Sequence, residues 1–260
     1  MEDSIKAGFL SECFREINIA LSETQIRQFM LYYEFLTEKN EVMNLTAITD
    51  YEDVVIKHFA DSSILFSPTF LTALRELGLP ENPFLIDVGT GAGFPGLPLS
   101  IVCPDCTSYL LDALQKRIGF LEELIGKLKL PNVCAVHGRA EEGVSFPLPK
   151  GFPERETQCL REYFDLTVSR AVSDLSVLLE YCLPYLRVGG IFAAYKAGNP
   201  EEELDRAGNA LQILGGRVEK ILHFQLPKSG DPRSIILIKK VRNTPAKYPR
   251  KAGKPQKSPL

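Results

Sequence analysis

A glycine-rich turn that follows a short apolar run is the feature that most constrains this sequence. The stretch FLIDVGTGAGFPGLPLSI occupies residues 84–101, and four glycines fall within eight positions after Val88, namely Gly89, Gly91, Gly93 and Gly96. Such a pattern is typical of a β-strand followed by a tight turn and a helix N-terminus. We therefore predict a nucleotide-like ligand at the turn, and a purely structural turn is the alternative.

The residues of the turn favour one kind of ligand. The dinucleotide-binding fingerprint requires glycine or alanine at its sixth position, where this chain has Phe94. Asp87 would lie near a bound pyrophosphate and repel it, whereas a carboxylate favours a ligand that carries positive charge. S-adenosylmethionine has an ammonium and a sulfonium group, so we expect it as the cofactor in preference to NAD.

Alternating strand and helix patterns predict the fold class. Residues 1 to about 80 read as helices, with a capping box at Ser22–Gln25. Beyond them, strands are predicted at Phe84–Val88, Thr107–Leu111, Asn132–His137, Phe164–Ser169 and Gly190–Tyr195, and helices at Gly96–Cys103, Gln115–Leu128, Asp174–Leu186 and Glu201–Leu214. This alternation predicts a doubly wound, Rossmann-like α/β sheet.

Two strand-like runs end the predicted sheet without a helix between them. They are Arg217–Leu226 and Arg233–Val241, and a hairpin of this kind makes the last strand antiparallel. We accordingly divide the chain into a helical N-terminal extension (1–82), the α/β domain (83–241) and a basic C-terminal tail (242–260). A proline-containing, mixed-charge segment at 145–162 is expected to be a surface loop.

Polar residues follow several predicted strands at the edge where a ligand binds in such folds. Asp112 lies 23 residues after Gly89, the spacing at which an acid meets ribose hydroxyls. Capping of the helix at Gln115 is the structural alternative for this residue. After the third strand, Ala140 and Glu141 are placed to meet an adenine edge, and Arg170 ends the fourth strand, where its guanidinium needs polar partners.

Charge is distributed unevenly along the chain. The formal net charge is −3, yet the chain from residue 233 onward has nine basic residues and no acid, which leaves 21 basic against 33 acidic residues in the rest. A proline-punctuated basic segment suits contact with RNA phosphates, and an aromatic side chain within it can stack on a base. The tail residues that we expect to bind RNA are Lys247, Tyr248, Arg250 and Lys251; a solvated tail is the alternative.

Composition excludes several other classes of protein. No stretch approaches eighteen apolar residues, and the N-terminus MEDSIKAGFL is acidic where a signal peptide would be basic, so we expect a cytoplasmic protein that does not enter a membrane. The six cysteines are scattered, and the single C-x-x-C at Cys103–Cys106 has no second pair near it in sequence. We expect no metal site.

Several motifs together resemble one family. They are NLTAITD at 44–50, KHFADSS at 57–63, the glycine turn, LDALQKR at 111–117, SRAV at 169–172 and the terminal TPAKYPRKAGKPQKSPL. Their combination resembles the ribosomal-RNA small-subunit methyltransferase G family, also called glucose-inhibited division protein B. The resemblance implies a class I S-adenosylmethionine-dependent methyltransferase that modifies N7 of one guanine in the decoding region of 16S rRNA. This sequence departs from the usual pattern of the family within LDALQKR, after the fifth strand and in the loop at 150–162.

The resemblance also implies which residues and partners take part. Cofactor contacts of the family match Gly89, Phe94, Asp112, Ala113, Leu114, Ala140, Glu141 and Arg170. The implied partner is 16S rRNA, free or within an assembling 30S subunit, and we expect a monomer.

The chemistry of guanine N7 suggests the remaining candidates. N7 has an in-plane lone pair, so methyl transfer requires positioning and no general base. We expect Asn44, His58, Arg170 and Lys196 at the reacting centre, and Lys57 and Arg233 on phosphates. The alternatives are a histidine on a helix face with its hydrogen bonds satisfied at His58, an N-terminal turn cap at Asn44, and ordinary solvated charges at the cations. Three other functions are alternatives for the whole protein. A methyltransferase for small molecules or proteins would have no use for the basic tail. An RNA-binding module with a vestigial pocket would not need the intact acids and glycines, and Phe94 fits a dinucleotide-dependent reductase poorly.

Overall fold

The N-terminal third of the chain is helical. The computed structural model describes residues 2–149, 157–170 and 173–260. Helices α1 to α5 are Glu2–Glu16, Glu23–Met43, Tyr51–Val54, Asp61–Ser63 and Pro68–Glu76, with a π-helix at Val55–Ala60 between α3 and α4 and a 3₁₀ turn at Ile64–Phe66. The Ser22 hydroxyl accepts a hydrogen bond from the Gln25 amide while Gln25 bonds back to the Ser22 amide, so the predicted capping box begins α2.

A seven-stranded sheet forms the centre of the protein. Its strands β1 to β7 are Phe84–Val88, Thr107–Asp112, Val133–His137, Phe164–Arg170, Leu186–Ala197, Gly216–Gln225 and Pro232–Lys240, arranged in the order β3-β2-β1-β4-β5-β7-β6. Strands β1 to β5 pair in parallel, and β7 is antiparallel to both β5 and β6. This confirms the predicted doubly wound sheet and its antiparallel last strand.

The helices that follow β1 differ from prediction mainly at their ends. Helices α6 to α12 are Gly96–Val102, Gln115–Leu128, Ala140–Gly143, Leu175–Cys182, Glu201–Arg206, Gly208–Leu214 and Lys254–Lys257. The helix predicted at Asp174–Leu186 ends at Cys182 and continues as a 3₁₀ turn at Leu183–Tyr185, because Pro184 lacks the amide hydrogen that an α-helix needs. The helix predicted at Glu201–Leu214 is divided at Ala207, ahead of Gly208.

Two apolar clusters cover the two faces of the sheet. One joins the N-terminal helices to the sheet and to α6 and α7, and in it the Phe29 ring contacts the rings of both Phe14 and Phe59. The other joins the opposite face to α9 and α11 and includes Tyr248 of the tail. The N-terminal helices thus share one core with the sheet, and the division into 1–82, 83–241 and 242–260 stays a proposal.

Two predicted features reach beyond the described residues. The surface loop expected at 145–162 includes 150–156, and the SRAV motif ends with 171–172; both sets lie outside the described residues. Within the described part, Ser169 and Arg170 end β4 beside β1, where the strand order changes direction. In open α/β sheets a ligand binds at this switch point, outside the carboxyl ends of the strands.

Candidate cofactor crevice and active site

The glycine turn is built on the ends of β1 and β2. The amides of Gly89 and Thr90 donate to the Leu111 carbonyl at 2.8 and 3.1 Å, which ties the turn to β2. Asp87 Oδ2 accepts hydrogen bonds from Thr90 Oγ1 at 2.7 Å and from the Gly96 amide at 2.8 Å. Asp87 is completely buried, and burial raises its pKa to about 7. The buried Asp87 side chain therefore stabilises the turn through its bonds to Thr90 and Gly96. This role differs from the direct attraction of a cationic ligand that the sequence predicts.

Two glycines of the turn have different surroundings. Gly93 has a φ of 102°, and a Cβ there would lie 2.6 Å from the Tyr32 hydroxyl, so glycine is required where α2 packs against the turn. Gly91 has a φ of 62°, and a Cβ there would meet no atom within 4 Å. The Gly91 amide donates to Asp112 Oδ2 at 2.9 Å. Gly91 thus faces open space beside the acid at the end of β2, as a turn that receives a ligand requires.

A pocket of about 160 Å³ lies beside this turn, at the carboxyl ends of β1, β2 and β3. Its lining includes Gly89, Asp112, Ala113, Ala140 and Glu141, five of the residues predicted to bind the cofactor. Two carboxylates next to a glycine backbone suit a ligand with ribose hydroxyls and an exocyclic amine. The residues present therefore fit the adenosine part of S-adenosylmethionine.

Asp112 also has a local structural role. Its Oδ1 accepts from the Leu114 amide at 2.9 Å, Oδ2 accepts from the Gly91 amide, and Arg117 Nη1 lies 3.3 Å from Oδ2. The alternative of a helix cap is not realised, because the N-cap residue of α7 is Leu114, no side chain caps this helix, and Asp112 accepts there only from the amide of Leu114 itself. Leu114 itself is 44% exposed and is not part of the lining of this pocket.

A cluster of Arg170, Asp61, His58 and Phe94 lies at the end of β4. Arg170 Nη1 is 2.6 Å from Asp61 Oδ2 and donates to the Lys57 carbonyl at 3.1 Å, and Nη2 lies 3.3 Å from His58 Nδ1. The guanidinium carbon is 5.2 Å from the centroid of the Phe94 ring, on which the His58 ring stacks at 4.5 Å. The structure thus brings together three residues predicted separately from sequence, His58, Phe94 and Arg170.

The electrostatics of this cluster keep the histidine neutral. Burial, and then the charge of Arg170, lower the pKa of His58 from 6.5 to about 3. His58 Nε2 is 2.8 Å from Thr46 Oγ1, so both ring nitrogens have polar neighbours. A neutral imidazole fixed between Phe94, Thr46 and Arg170 can position a neighbouring group, and it is a poor proton donor at neutral pH.

The other predicted polar residues lie around this cluster. Arg233 Nε is 3.8 Å from Asp61 Oδ1, and Lys57 Nζ is 2.7 Å from Asp53 Oδ1. Lys196 Nζ donates to the Ser173 carbonyl at 3.3 Å and forms an ion pair with Glu203. Asn44 is exposed and is the C-cap of α2 with a left-handed φ of 51°, whereas the alternative is an N-terminal turn cap.

Two tail residues have surroundings other than those predicted. Tyr248 is 7% exposed and packs in the second apolar cluster, so its ring is not available for stacking on a base. Arg250 forms bidentate contacts with Glu180, which is 1% exposed, at 2.6 to 3.0 Å. Lys247 and Lys251 are exposed. The physical reason is that the tail packs on the body of the protein. This packing buries the Tyr248 ring and pairs the Arg250 guanidinium, both of which the sequence predicts to be free.

Sequence reasoning did not single out Asp61 or the tail residues Gly253 and Gln256. Asp61 is 6% exposed within KHFADSS, and an acid in an otherwise apolar helical run is the signal that marks it. Gly253 and Gln256 line the pocket, and no local pattern indicates this. Cys103 and Cys106 are joined as a disulfide, and the described residues contain no group of three His, Cys, Asp or Glu able to hold a metal ion. Among the helices of the described part, none is long and apolar enough to cross a membrane.

The sheet order, the glycine turn after β1 and the acid at the end of β2 define a class I S-adenosylmethionine-dependent methyltransferase. The model of the family described as "rRNA small subunit methyltransferase G" matches residues 25–232. The chain belongs to this family. The recognition made from sequence is confirmed, and with it S-adenosylmethionine as the cofactor.

Individual relatives cover almost the whole chain. It is 49% identical over 242 residues to ribosomal RNA small subunit methyltransferase G of Acetivibrio thermocellus, which covers 93% of this chain and 91% of the relative. Identity to the protein of the same name from Lachnoclostridium phytofermentans is 46% over 246 residues, covering 95% and 94%. Among solved structures, a SAM-dependent methyltransferase from Aquifex aeolicus is similar over 66% of this chain and 89% of its own, with 24% identity and a TM-score of 0.46.

Proposed function

We propose that this chain transfers the methyl group of S-adenosylmethionine to N7 of one guanine in 16S rRNA, in the cytoplasm and as a monomer. The relatives are named as methyltransferases of small-subunit ribosomal RNA, which supports rRNA as the substrate class. The proposed binding partner is free 16S rRNA or a 30S assembly intermediate.

One observation carries the choice of N7. The polar groups that meet at the end of β4 are a guanidinium, a neutral imidazole with a pKa of about 3 and a carboxylate already bonded to the guanidinium. Removal of a proton from a nitrogen or hydroxyl nucleophile calls for a base with a pKa near 7, which His58 does not supply. Asp87 has a pKa of about 7 but is completely buried and bonded to Thr90 and the Gly96 amide, so a substrate does not reach it. N7 of guanine needs no such base, because its lone pair is free in the plane of the ring.

In this proposal the cofactor lies along the glycine turn and supplies the methyl group when bound. Gly89, Gly91 and Phe94 shape the turn, Asp112 accepts from ribose hydroxyls, and Ala140 and Glu141 meet the adenine. The His58 ring stacks on the buried Phe94 ring, which fixes the plane of the imidazole beside the proposed position of the guanine. Catalysis then comes from holding N7 in line with the methyl group at about 3 to 3.5 Å and from excluding water.

Charge compensation supports the same arrangement. Methylation of N7 leaves a positive charge on the base, so an acid near the target is favourable. Asp61 is the acid of this cluster; its Oδ1 has no hydrogen-bond partner among the described residues, and Arg233 Nε lies 3.8 Å from it. Recognition of the guanine uses O6, N1 and N2, because the usual bidentate contact of Arg to O6 and N7 would block the nucleophile. Asn44 and Lys196 are proposed to contact the substrate, and Lys57 and Arg233 to contact phosphates.

The experiment is methyl transfer from labelled S-adenosylmethionine to total bacterial RNA and to 30S subunits that lack the modification, followed by nucleoside analysis. We expect the label in 7-methylguanosine of 16S rRNA. Label in another nucleoside would contradict the N7 assignment, and label in no RNA would contradict the substrate class.

A further inference from the structure

The C-terminal tail is anchored to the body of the protein through buried polar contacts. Lys240, completely buried at the end of β7, donates to the Leu183 carbonyl at 2.6 Å and to Thr244 Oγ1 at 2.7 Å. The guanidinium of Arg161 donates to the carbonyls of Thr244 and Tyr248 at 3.0 and 2.9 Å. These contacts fix the first half of the tail, so its course toward the crevice is set by the fold.

Two glutamates then direct the tail to the cofactor pocket. Glu180 of α9 accepts from the Arg250 amide at 2.7 Å as well as from its guanidinium, and Glu180 is 1% exposed. A buried carboxylate of this kind requires its cation, because an unpaired charge away from water is costly. Three residues later, the Gly253 amide donates to Glu141 Oε1 at 2.9 Å.

Glu141 links the tail to the crevice. Gly253 and Gln256 line the same pocket as Asp112, Ala113 and Glu141. Glu141 Oε1 accepts from the tail, and the Glu141 carboxylate also forms a hydrogen bond with Tyr181 of the same pocket, so its side chain is oriented from two sides. The side-chain amide of Gln256 adds one hydrogen-bond donor group and one acceptor to the same side of the pocket.

We propose that residues 250–256 form one wall of the S-adenosylmethionine pocket, with Gln256 contacting the adenosine part and Gly253 positioning Glu141. This inference rests on the proposed placement of the cofactor along β1, β2 and β3. It gives the tail a role in cofactor binding that is independent of its positive charge, and it implies that loss of the last turn weakens cofactor binding even in a folded protein.

Calorimetric binding of S-adenosylmethionine to the full chain and to a chain ending at Lys251 tests the inference. The shorter chain keeps the Tyr248 and Arg250 anchors, so we expect an unchanged Tm together with a Kd raised at least about tenfold, a loss typical of removing a pocket wall with its hydrogen bonds. S-adenosylhomocysteine should lose affinity by the same factor, because the wall lies beside Asp112 and Glu141 and away from the sulfur.

A matched pair of point variants in α12 keeps the test decisive if the shorter chain does not fold. Gln256→Ala should raise the Kd about three- to tenfold, the loss of one hydrogen-bonding group, and Lys257→Ala, an exposed residue of the same helix, should leave it unchanged. Unchanged affinity for Gln256→Ala, or unchanged or tighter binding by the folded shorter chain, would contradict the proposal that the tail forms a wall of the pocket. Failure of the full chain to bind S-adenosylmethionine would contradict the placement of the cofactor itself.

Discussion

Arg170 Nη1 lies 2.6 Å from Asp61 Oδ2, and the two residues are 109 positions apart in the chain. Arg170 ends β4 of the sheet, and Asp61 begins α4 of the N-terminal helices. Both side chains are largely buried, with exposed fractions of 13% and 6%. The pair joins the N-terminal helices to the carboxyl edge of the sheet at the place where we put the target guanine. Asp61 therefore acts as a positioning residue for the Arg170 guanidinium.

Replacement of Asp61 by asparagine tests this role. Asp61→Asn keeps the size of the side chain and removes the charge that holds Arg170, and a hydrogen bond to a charged group is worth about 1.5 to 3 kcal/mol. We expect kcat for rRNA methylation to fall by about one to two powers of ten, with little change in the Kd for S-adenosylmethionine, because Asp61 does not line the cofactor pocket.

The matched control for Asp61→Asn is Asp53→Asn, which removes an acid from the same helical segment. Asp53 pairs with Lys57 at the surface, where ion pairs contribute about 0 to 1 kcal/mol. Its kcat should stay within about twofold of the wild-type value. An equal fall in both variants would show a general effect of negative charge near the site.

The neutral His58 predicts a pH dependence of stability. Its folded pKa of about 3 lies below the unfolded value of 6.5, so the unfolded chain binds the proton first. The contribution of His58 to stability is thus constant above pH 6.5 and is lost progressively as the pH falls from 6.5 toward 3. His58→Asn should show a shallower fall in Tm between pH 6.5 and pH 4 than the wild type.

His223 provides the control for the His58 measurement, because it is exposed on β6. The slope of Tm against pH for His223→Asn should match that of the wild type. A wild-type slope in His58→Asn would mean that the imidazole is protonated near its ordinary pKa in the folded protein, against the neutral state inferred for the site.

Asp112 should contribute directly to cofactor affinity. Asp112→Ala removes the proposed bonds to the ribose hydroxyls and the bond to the Gly91 amide, and we expect binding of S-adenosylmethionine to weaken by about 1.5 to 3 kcal/mol in calorimetry. Arg117→Ala removes the cation beside Asp112 and keeps the carboxylate, so its affinity should change little. A lower Tm for Asp112→Ala with an unchanged Kd would favour the purely structural role.

The tail lysines predict a limited contribution to RNA binding. Lys247 and Lys251 are exposed, whereas Arg250 is paired with Glu180. Each phosphate contact adds about 0.7 to 0.9 to the log–log salt slope of RNA affinity. The variant Lys247→Ala/Lys251→Ala should therefore reduce the slope by about 1.4 to 1.8, measured by titration at several salt concentrations.

A second pair of exposed lysines controls for the change in net charge. Lys127→Ala/Lys220→Ala removes the same charge from α7 and β6, and we expect the wild-type slope. Equal log–log salt slopes of RNA affinity in the two double variants would show that Lys247 and Lys251 do not contact RNA phosphates.

The strands and the cofactor edge of the sheet could be predicted from sequence because they depend on local patterns. The glycines, Asp112 and Arg170 follow predicted strands, and parallel strands bring their carboxyl ends to one edge. The surroundings of Tyr248, Arg250 and Asp61 depend on partners far along the chain, such as Glu180 for Arg250. Local sequence patterns do not indicate which distant residues meet, so the sequence predicts a free basic arm where the structure has a packed tail.

The most direct measurement of the central claim is the position of the methyl group on the RNA. After reaction of unmodified 16S rRNA or 30S subunits with the enzyme and S-adenosylmethionine, borohydride reduction and aniline treatment cleave the strand at 7-methylguanosine. The account predicts one new cleavage, at a guanine of the decoding region, which is absent when the cofactor is omitted. Methylated RNA that resists cleavage would contradict transfer to N7 and, with it, a site that works without a general base.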